Sequence, residues 1–179
     1  MMFSAQPVST SLEALAADFF QRSVGNWRSE RRYYKLKNGE TQEIVSSLTI
    51  CFLWADNPVL LQLAQAHHLP KDVRLTCGVI ATWDSHEAAS GKPQSAGSTT
   101  FGLRGNLLYR DRGFATPQPV TAEFDLPDPN TMRLRTEYGG SAFEEEIRLI
   151  GVNYRTRQTI ISRSGEEQMI GQYLERRLA

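Results

Sequence analysis

The sequence predicts a mainly β fold, a closed antiparallel barrel of about ten short strands preceded by one α-helix. Three observations lead to this prediction. Apolar and polar residues alternate with a period of two along most of the chain. Turn dipeptides such as Asn38-Gly39 and Gly139-Gly140 separate many of the alternating runs. The runs follow one another as strands in meander order would, and a barrel of this size can hold one small ligand.

The leading helix is expected over about residues 10–22. Thr10 and Glu13 have the spacing of a capping box, in which each side chain satisfies a free backbone N–H group at the helix start. Gly25 is placed to end the helix. Between them, apolar residues recur at the intervals of a single helix face, at Leu12, Leu15, Ala16, Phe19 and Phe20.

A second, shorter helix and a series of strands follow. Asn57 is a suitable N-cap for a helix over Pro58–His67, because proline fits the first helical position. Two strands alternate most regularly, over residues 73–84 and 132–138. The stretch Glu87–Thr100 is rich in Ser, Gly and Ala and is expected to be one long exposed loop. Further strands are expected at Asn26–Leu36, Gln42–Leu53, Thr99–Gly105, Asn106–Arg110, Val120–Leu126, Ala142–Ile150, Asn153–Arg163 and Glu167–Arg176.

The composition fits one globular domain over residues 1–179 and excludes several classes of protein. Basic and acidic residues number 20 each, so no basic excess predicts binding to nucleic acid. No apolar run approaches the ~18 residues of a transmembrane helix, and residues 1–10 lack the regions of a signal peptide. Only Cys51 and Cys77 are present, and both are interpreted as small buried residues of a soluble protein in a reducing compartment.

Two neighbouring strands carry charge beside apolar residues. Glu145 shares a face with Phe143, and Arg155 and Arg157 share a face with Thr159 on the next strand. If the apolar face points into the barrel, the carboxylate and both guanidinium groups converge there. Such a cluster is either an internal ion-pair network or a ligand site, because buried charges need partners. Alternatively, both arginines lie on a solvated outer face and Glu145 belongs to an exposed acidic run.

Several segments resemble a known family. They are the helix residues Ala17-Asp18-Phe19-Phe20, the run Gly25-Asn26-Trp27-Arg28-Ser29-Glu30-Arg31-Arg32-Tyr33-Tyr34, the run Asn153-Tyr154-Arg155-Thr156-Arg157-Gln158-Thr159 and the final run from Glu167 to Arg177. In this order and spacing they resemble the S-type phycobiliprotein lyases, the CpcS/CpeS family, from about residue 11 to 177.

The resemblance implies a calycin-type barrel over about residues 26–177, similar to lipocalins and fatty-acid-binding proteins. Family members bind a free linear tetrapyrrole, usually phycocyanobilin, and attach it by a thioether bond to a cysteine of a phycobiliprotein subunit. The implied setting is the cyanobacterial cytosol or, in an alga, the plastid stroma. We expect no prosthetic group and no membrane insertion. The alternative is a non-catalytic bilin carrier or a partner subunit of a heteromeric lyase.

The expected protein partners are phycobiliprotein apo-subunits, namely phycocyanin β or allophycocyanin. A homodimer, or a pairing with a paralogous lyase subunit, is also expected. Tyr33 and Tyr34 follow the first-strand arginines where many family members have a histidine, which favours phycocyanin and allophycocyanin over phycoerythrin as acceptors. The adjacent His67 and His68 point to different faces of a helix, so no metal site is expected.

The resemblance and the chemistry of a bilin together assign the arginine roles. Arg155 and Arg157 match the family's strand arginines and are expected to hold the two propionates, since a guanidinium can bind a carboxylate with two parallel hydrogen bonds. Thr159 matches a family Ser or Thr beside them. Arg28 is a third candidate for bilin binding. Arg31 and its neighbour Arg32 are interpreted as surface residues.

Two further residues receive roles. Glu145 matches the family's inward carboxylate, which can pair with the ring N–H groups and favour a protonated, more electrophilic bilin; it is the candidate catalytic residue. Trp83 ends the longest apolar face and can stack on the conjugated plane of the bilin, or it can belong to the core. The nucleophile in this mechanism is the thiol of the acceptor protein.

Overall fold

The computed structural model describes residues 11–179 as two helices and ten strands. The helices are α1 (Leu12–Ser23) and α2 (Pro58–Ala66). The strands are β1 (Gly25–Lys35), β2 (Thr41–Trp54), β3 (Cys77–Glu87), β4 (Pro93–Arg104), β5 (Leu107–Arg110), β6 (Val120–Asp128), β7 (Thr131–Tyr138), β8 (Ser141–Ile150), β9 (Tyr154–Arg163) and β10 (Glu166–Arg177).

The strands form one closed barrel. Each strand pairs antiparallel with the next, and β1 pairs with both β2 and β10, which closes the sheet. Closure gives each strand of residues 11–179 two neighbours, so this part of the chain exposes no long sheet edge. The predicted fold class, a ten-stranded antiparallel barrel with an N-terminal helix, is confirmed. None of the helices in residues 11–179 combines the length and apolarity needed to cross a bilayer.

Helix α1 closes one end of the barrel. Ala16, Phe19 and Phe20 are buried and join the barrel core. The helix begins with Ser11 as its N-cap, whose side chain accepts from the Ala14 N–H group; the predicted cap, Thr10, lies outside the described residues. The Glu13 carboxylate accepts hydrogen bonds from the Thr76 hydroxyl, just before β3, and from the Gly105 N–H group, just after β4, which ties α1 to the barrel.

The end of α1 is held by the last strand. The Arg177 guanidinium donates to the carbonyl oxygens of Arg22 and Val24, and its carbon atom lies 4.2 Å from the centre of the Trp27 ring. A cation is favourable there because a helix C-terminus carries partial negative charge. Gly25 follows with φ = 133°, a backbone conformation that favours glycine.

The second predicted helix is confirmed, and it lies outside the barrel. Asn57 caps α2 by accepting from the Val59 N–H group, and Pro58 occupies the first helical position, as expected. Leu60 and Leu63 of α2 form a small separate core with Leu53 and Leu75.

Two sequence-based boundaries are wrong. The predicted loop Glu87–Thr100 is mostly strand, because Trp83 pairs with Gly97 and Ser85 with Ser95, and only residues 88–92 turn. We predicted a loop because the segment is rich in small polar side chains. Such residues also occur in strands close to a hairpin turn, where both faces of the two strands contact solvent. The regular alternation over residues 73–84 begins before the strand does, since β3 starts at Cys77.

Candidate functional site

The barrel register determines which side chains share the interior. Facing pairs place Thr159 beside Glu145, and Arg155 beside Glu175. Glu145, Arg155 and Thr159 are each less than 5% exposed, and the Arg157 side chain is 20% exposed. Strands β8 and β9 therefore direct these side chains into the barrel. Of the two orientations considered from the sequence, this is the inward one. Arg28, in contrast, lies on the outer face of β1, where it contacts Glu30 in an exposed ion pair.

The first interior cluster, which we call the Glu145 group, consists of Glu145, Arg157 and Arg110. Arg157 Nη2 donates to Glu145 Oε1. Arg110 comes from β5 on the other side of the barrel and places Nη1 3.8 Å from Glu145 Oε2, which is an ionic contact but too long for a hydrogen bond. One carboxylate thus lies between two guanidinium groups.

The second cluster, the Glu175 group, consists of Glu175, Arg155, Ser29 and Arg31. Arg155 Nε donates to Glu175 Oε2, and Ser29 Oγ donates to Glu175 Oε1 over 3.1 Å. Arg31 Nε donates to Ser29 Oγ over 3.0 Å, and its guanidinium lies 5.0 Å from the centre of the Tyr173 ring. Arg31 thus faces the interior, and its interpretation as a surface residue was wrong, because it is two residues from Ser29 on the buried face of β1.

The two groups have the same charge balance. Each holds two guanidinium groups and one carboxylate, which leaves one surplus positive charge per group. Burial alone would raise the pKa of Glu175, but Arg155 and Arg157 outweigh burial and keep it below its ordinary value. Desolvation opposes the charge of Arg157, and the attraction of Glu145 outweighs it, so the pKa of Arg157 is raised. The barrel interior is therefore suited to an anion.

Several polar atoms of the interior have no hydrogen-bond partner among the described residues. Buried polar atoms are normally paired, so a group of unpaired ones is typical of a binding site. They belong to strands β5, β7, β8 and β9: Arg110 Nε and Nη1, Thr136 Oγ1, Glu145 Oε2, Arg157 Nε and Thr159 Oγ1.

The end of the barrel opposite α1 is the more exposed one, and we call it the open end. Ala81, Trp83, Phe101 and Ile161 face inward there by strand alternation, and each is partly exposed. Residues 111–119 connect β5 to β6 at this end. Within that segment Phe114 stacks on Phe143 at 4.9 Å between ring centres. Trp83, predicted as a stacking residue, lies at this open end with the Arg112 guanidinium 5.8 Å from its ring.

A separate concavity of about 730 Å³ lies on the outer face of β1, β9 and β10. Its charged side chains pair with one another, as Arg28 does with Glu30 and Arg32 with Glu43, in exposed positions. Exposed ion pairs of this kind are already solvated and balanced. The interior, with its buried surplus charge, is the better candidate site.

Comparisons with known proteins identify the family of the chain. Residues 16–178 match the family model described as CpeS-like protein. The chain belongs to the CpeS-like family. A Nostoc sp. protein named as phycocyanobilin lyase CpcS 2 is 56% identical over 171 residues, covering 96% of this chain and 95% of the relative. A Picosynechococcus sp. protein named as chromophore lyase CpcV is 50% identical over 172 residues, covering 96% of this chain and 85% of the relative.

A solved structure has the same fold. The S-type phycobiliprotein lyase CPES from Guillardia theta superposes with a TM-score of 0.74 at 21% identity, covering 92% of this chain and 93% of that one. At this identity the likeness concerns the fold. The family predicted from the sequence is thereby confirmed, and so is the prediction of a CpeS-like chromophore lyase.

Sequence reasoning missed four members of the interior clusters, namely Arg110, Glu175, Ser29 and Arg31. Arg110 ends the four-residue strand β5, too short for alternation to stand out, although Leu108 two residues earlier shares its face and could have signalled it. Glu175 was read only as part of the final family segment. Cys51, expected to be buried, is exposed, because its neighbours Ile50 and Phe52 take the inward positions of β2.

Proposed function

We propose that the chain, as a single bilin-binding domain, binds phycocyanobilin inside the barrel and attaches it to a cysteine of phycocyanin β or allophycocyanin. The observation that carries this proposal is the Glu145 group, a buried carboxylate between two arginines inside a barrel of the CpeS-like family. The names of the relatives support the same class of reaction, and one of them specifies phycocyanobilin.

A bilin has two propionates and a row of ring nitrogens, and the interior offers partners for both. The surplus positive charge of the two groups equals the charge of two propionates, and Arg155 and Arg157 contribute one guanidinium to each group. Glu145 Oε2 has no hydrogen-bond partner within the described residues, so it can accept a hydrogen bond from a ring N–H group. Thr159 Oγ1, opposite it in the register, offers a second polar contact.

In this proposal catalysis comes from orientation and charge. A carboxylate beside the ring nitrogens stabilises the protonated bilin, which is a better electrophile. The acceptor thiol adds across an exocyclic double bond: a carbon–sulfur bond forms, the thiol proton ends on the bilin, and no group leaves. Trp83, at the open end, can stack on the conjugated plane while the reactive ring faces the acceptor.

The alternative is a carrier, or a partner subunit, that binds bilin without transferring it. Mixing the purified protein with phycocyanobilin and each apo-subunit separates the two. A red-absorbing adduct that survives denaturing electrophoresis is expected with phycocyanin β or allophycocyanin, and only in the presence of the protein. Reversible colour without an adduct, for every subunit, would favour the carrier. An adduct confined to a phycoerythrin subunit would change the proposed acceptor.

We also propose a homodimer, or a pairing with a paralogous subunit, in the cytosol or plastid stroma. Exposed apolar residues support an association: Ile150, Val152, Tyr154 and Leu174 lie on the outer side of β8–β10 near the α1 end of the barrel. Apolar side chains grouped on a surface are typical of protein interfaces. The molar mass in solution, alone and with a paralogue, distinguishes these states.

A further inference from the structure

Arg110 is a buried charge that the proposed mechanism does not use. It is 5% exposed, at the inward end of β5, and neither Nε nor Nη1 has a hydrogen-bond partner among the described residues. Burial lowers the pKa of Arg110, and the charge of Glu145 only partly offsets this. A buried guanidinium with unpaired N–H groups is costly to a fold, and a ligand that accepts hydrogen bonds from those groups would offset the cost.

The surroundings of Arg110 hold its guanidinium in a fixed plane. Its carbon atom lies 4.8 Å from the centre of the Phe101 ring and 4.6 Å from that of Phe114. The His67 ring nitrogen Nε2 and the Arg110 carbonyl oxygen are 2.8 Å apart, a hydrogen bond that anchors the end of β5 to α2. Aromatic rings contact a guanidinium through its flat faces and leave its N–H edge available. That edge is the part of an arginine that binds carboxylates.

The charge balance of the Glu145 group indicates what the N–H edge of the Arg110 guanidinium binds. Arg157 already donates to Glu145 Oε1, whereas Arg110 makes no hydrogen bond to this carboxylate and supplies the surplus charge of the Glu145 group. We infer that Arg110 binds one carboxylate of the tetrapyrrole, next to Arg157, while the other carboxylate is held at the Glu175 group. The inference rests on the proposed function for the identity of the ligand, and it adds a binding residue that lies outside the β9 motif.

The test compares an acid ligand with its ester in two proteins. Phycocyanobilin and its dimethyl ester are titrated into wild type and Arg110→Gln, and dissociation constants are read from the bilin absorbance. In wild type the ester should bind roughly 10-fold to 100-fold more weakly, the range expected for lost charged hydrogen bonds. In Arg110→Gln the ratio of the ester dissociation constant to the acid dissociation constant should be at least about fivefold smaller than in wild type, because one carboxylate no longer has its partner.

The controls keep the result specific. Arg148→Gln, on the exposed face of β8, should bind both ligands as wild type does. If Arg110→Gln weakens acid and ester equally, Arg110 is structural and the inference is overturned. Should Arg110→Gln fail to fold, Arg110→Lys takes its place. A lysine ammonium cannot donate two parallel hydrogen bonds to a carboxylate, so the Arg110→Lys variant should bind the acid more weakly than wild type and the ester equally well. A wild type that binds neither ligand overturns the proposed function, and this inference with it.

Discussion

Among single residues, Glu145 is the one whose charge the proposed chemistry requires. Glu145→Gln keeps the shape and one acceptor atom but removes the negative charge beside the ring nitrogens. We expect phycocyanobilin affinity to change by less than about tenfold, while the spectrum of the bound bilin shifts to the blue and adduct formation slows. Absorbance titration and the transfer rate measure these effects.

A matched control for that substitution lies next to it in the chain. Glu144→Gln, on the outer face of β8, removes an exposed partner of Arg135 and should change neither the spectrum nor the rate. If Glu145→Gln matches wild type in both measurements, the carboxylate serves only the internal ion pair with Arg157.

The Glu175 group makes a prediction about acid stability. Because the folded-state pKa of Glu175 is lowered below its ordinary value of 4.5, its ionised form stabilises the fold above that pH, and this contribution is lost as the pH falls through the folded-state pKa. Glu175→Gln leaves Arg155 buried without its counter-charge, so it should lower the free energy of unfolding at pH 7 by about 3–5 kcal/mol. The difference from wild type should narrow as the pH falls below 4.5.

Denaturant unfolding at pH 7 and at successively lower pH measures this difference. Glu146→Gln, which removes an exposed partner of Arg133, should track wild type at every pH. A constant gap between Glu175→Gln and wild type across the acid range would mean that the carboxylate is not stabilised in the folded state.

At the scale of elements, α1 is the part of the core that is not sheet. Phe19 is 1% exposed and packs into the barrel end, so Phe19→Ala removes a large buried ring. We expect a loss of about 3–5 kcal/mol in the free energy of unfolding, from lost burial plus the cavity left behind. Gln21→Ala, at an exposed position of the same helix, should leave it nearly unchanged. Thermal and denaturant unfolding of both variants compares them, and equal stability would show that α1 does not close the core.

The orientation of some strands could be predicted from the sequence alone, whereas contacts between distant strands could not. Long strands that carry one charge among apolar residues are predictable: Phe143, Ile147 and Leu149 fix the inward face of β8, and Glu145 follows by alternation. The partner of that charge was not predictable. Arg110 reaches Glu145 across the barrel from a strand of four residues, and a contact across the interior depends on barrel closure rather than on local pattern.

The Glu175 group was hidden for a different reason. Its face of β10 holds Gly171, Tyr173 and Glu175, and its face of β1 holds Ser29 and Arg31 beyond Trp27, so polar residues interrupt the apolar pattern on both faces. Alternation identifies an inward face only where that face is apolar. In a barrel that binds a polar ligand, the strands nearest the ligand are those whose orientation the sequence leaves least determined.

At the scale of the whole molecule, charge and shape are unevenly distributed. The chain has equal numbers of basic and acidic residues, yet the interior carries a surplus of arginine. Helix α1 closes one end of the barrel, and the partly exposed Trp83 and Phe114 lie at the other. An anionic chromophore bound in this way would enter and leave by the same opening. The acceptor thiol must approach there as well.

This geometry predicts a direct transfer rather than a covalent relay through the lyase. Cys51 is exposed on the outer face of β2, and Cys77 is buried in the core, where burial and the nearby Glu13 raise the pKa of its thiol to about 11. Cys51 lies outside the barrel and Cys77 lies towards the end that α1 closes, so neither is placed to form a bilin adduct at the open end. Cys51→Ser combined with Cys77→Ala should keep the transfer rate, with about 1–2 kcal/mol of stability lost from repacking. An acceptor without its cysteine should form no adduct with either protein. A folded double variant that transfers nothing, or a denaturation-resistant bilin on the wild-type lyase itself, would establish a relay.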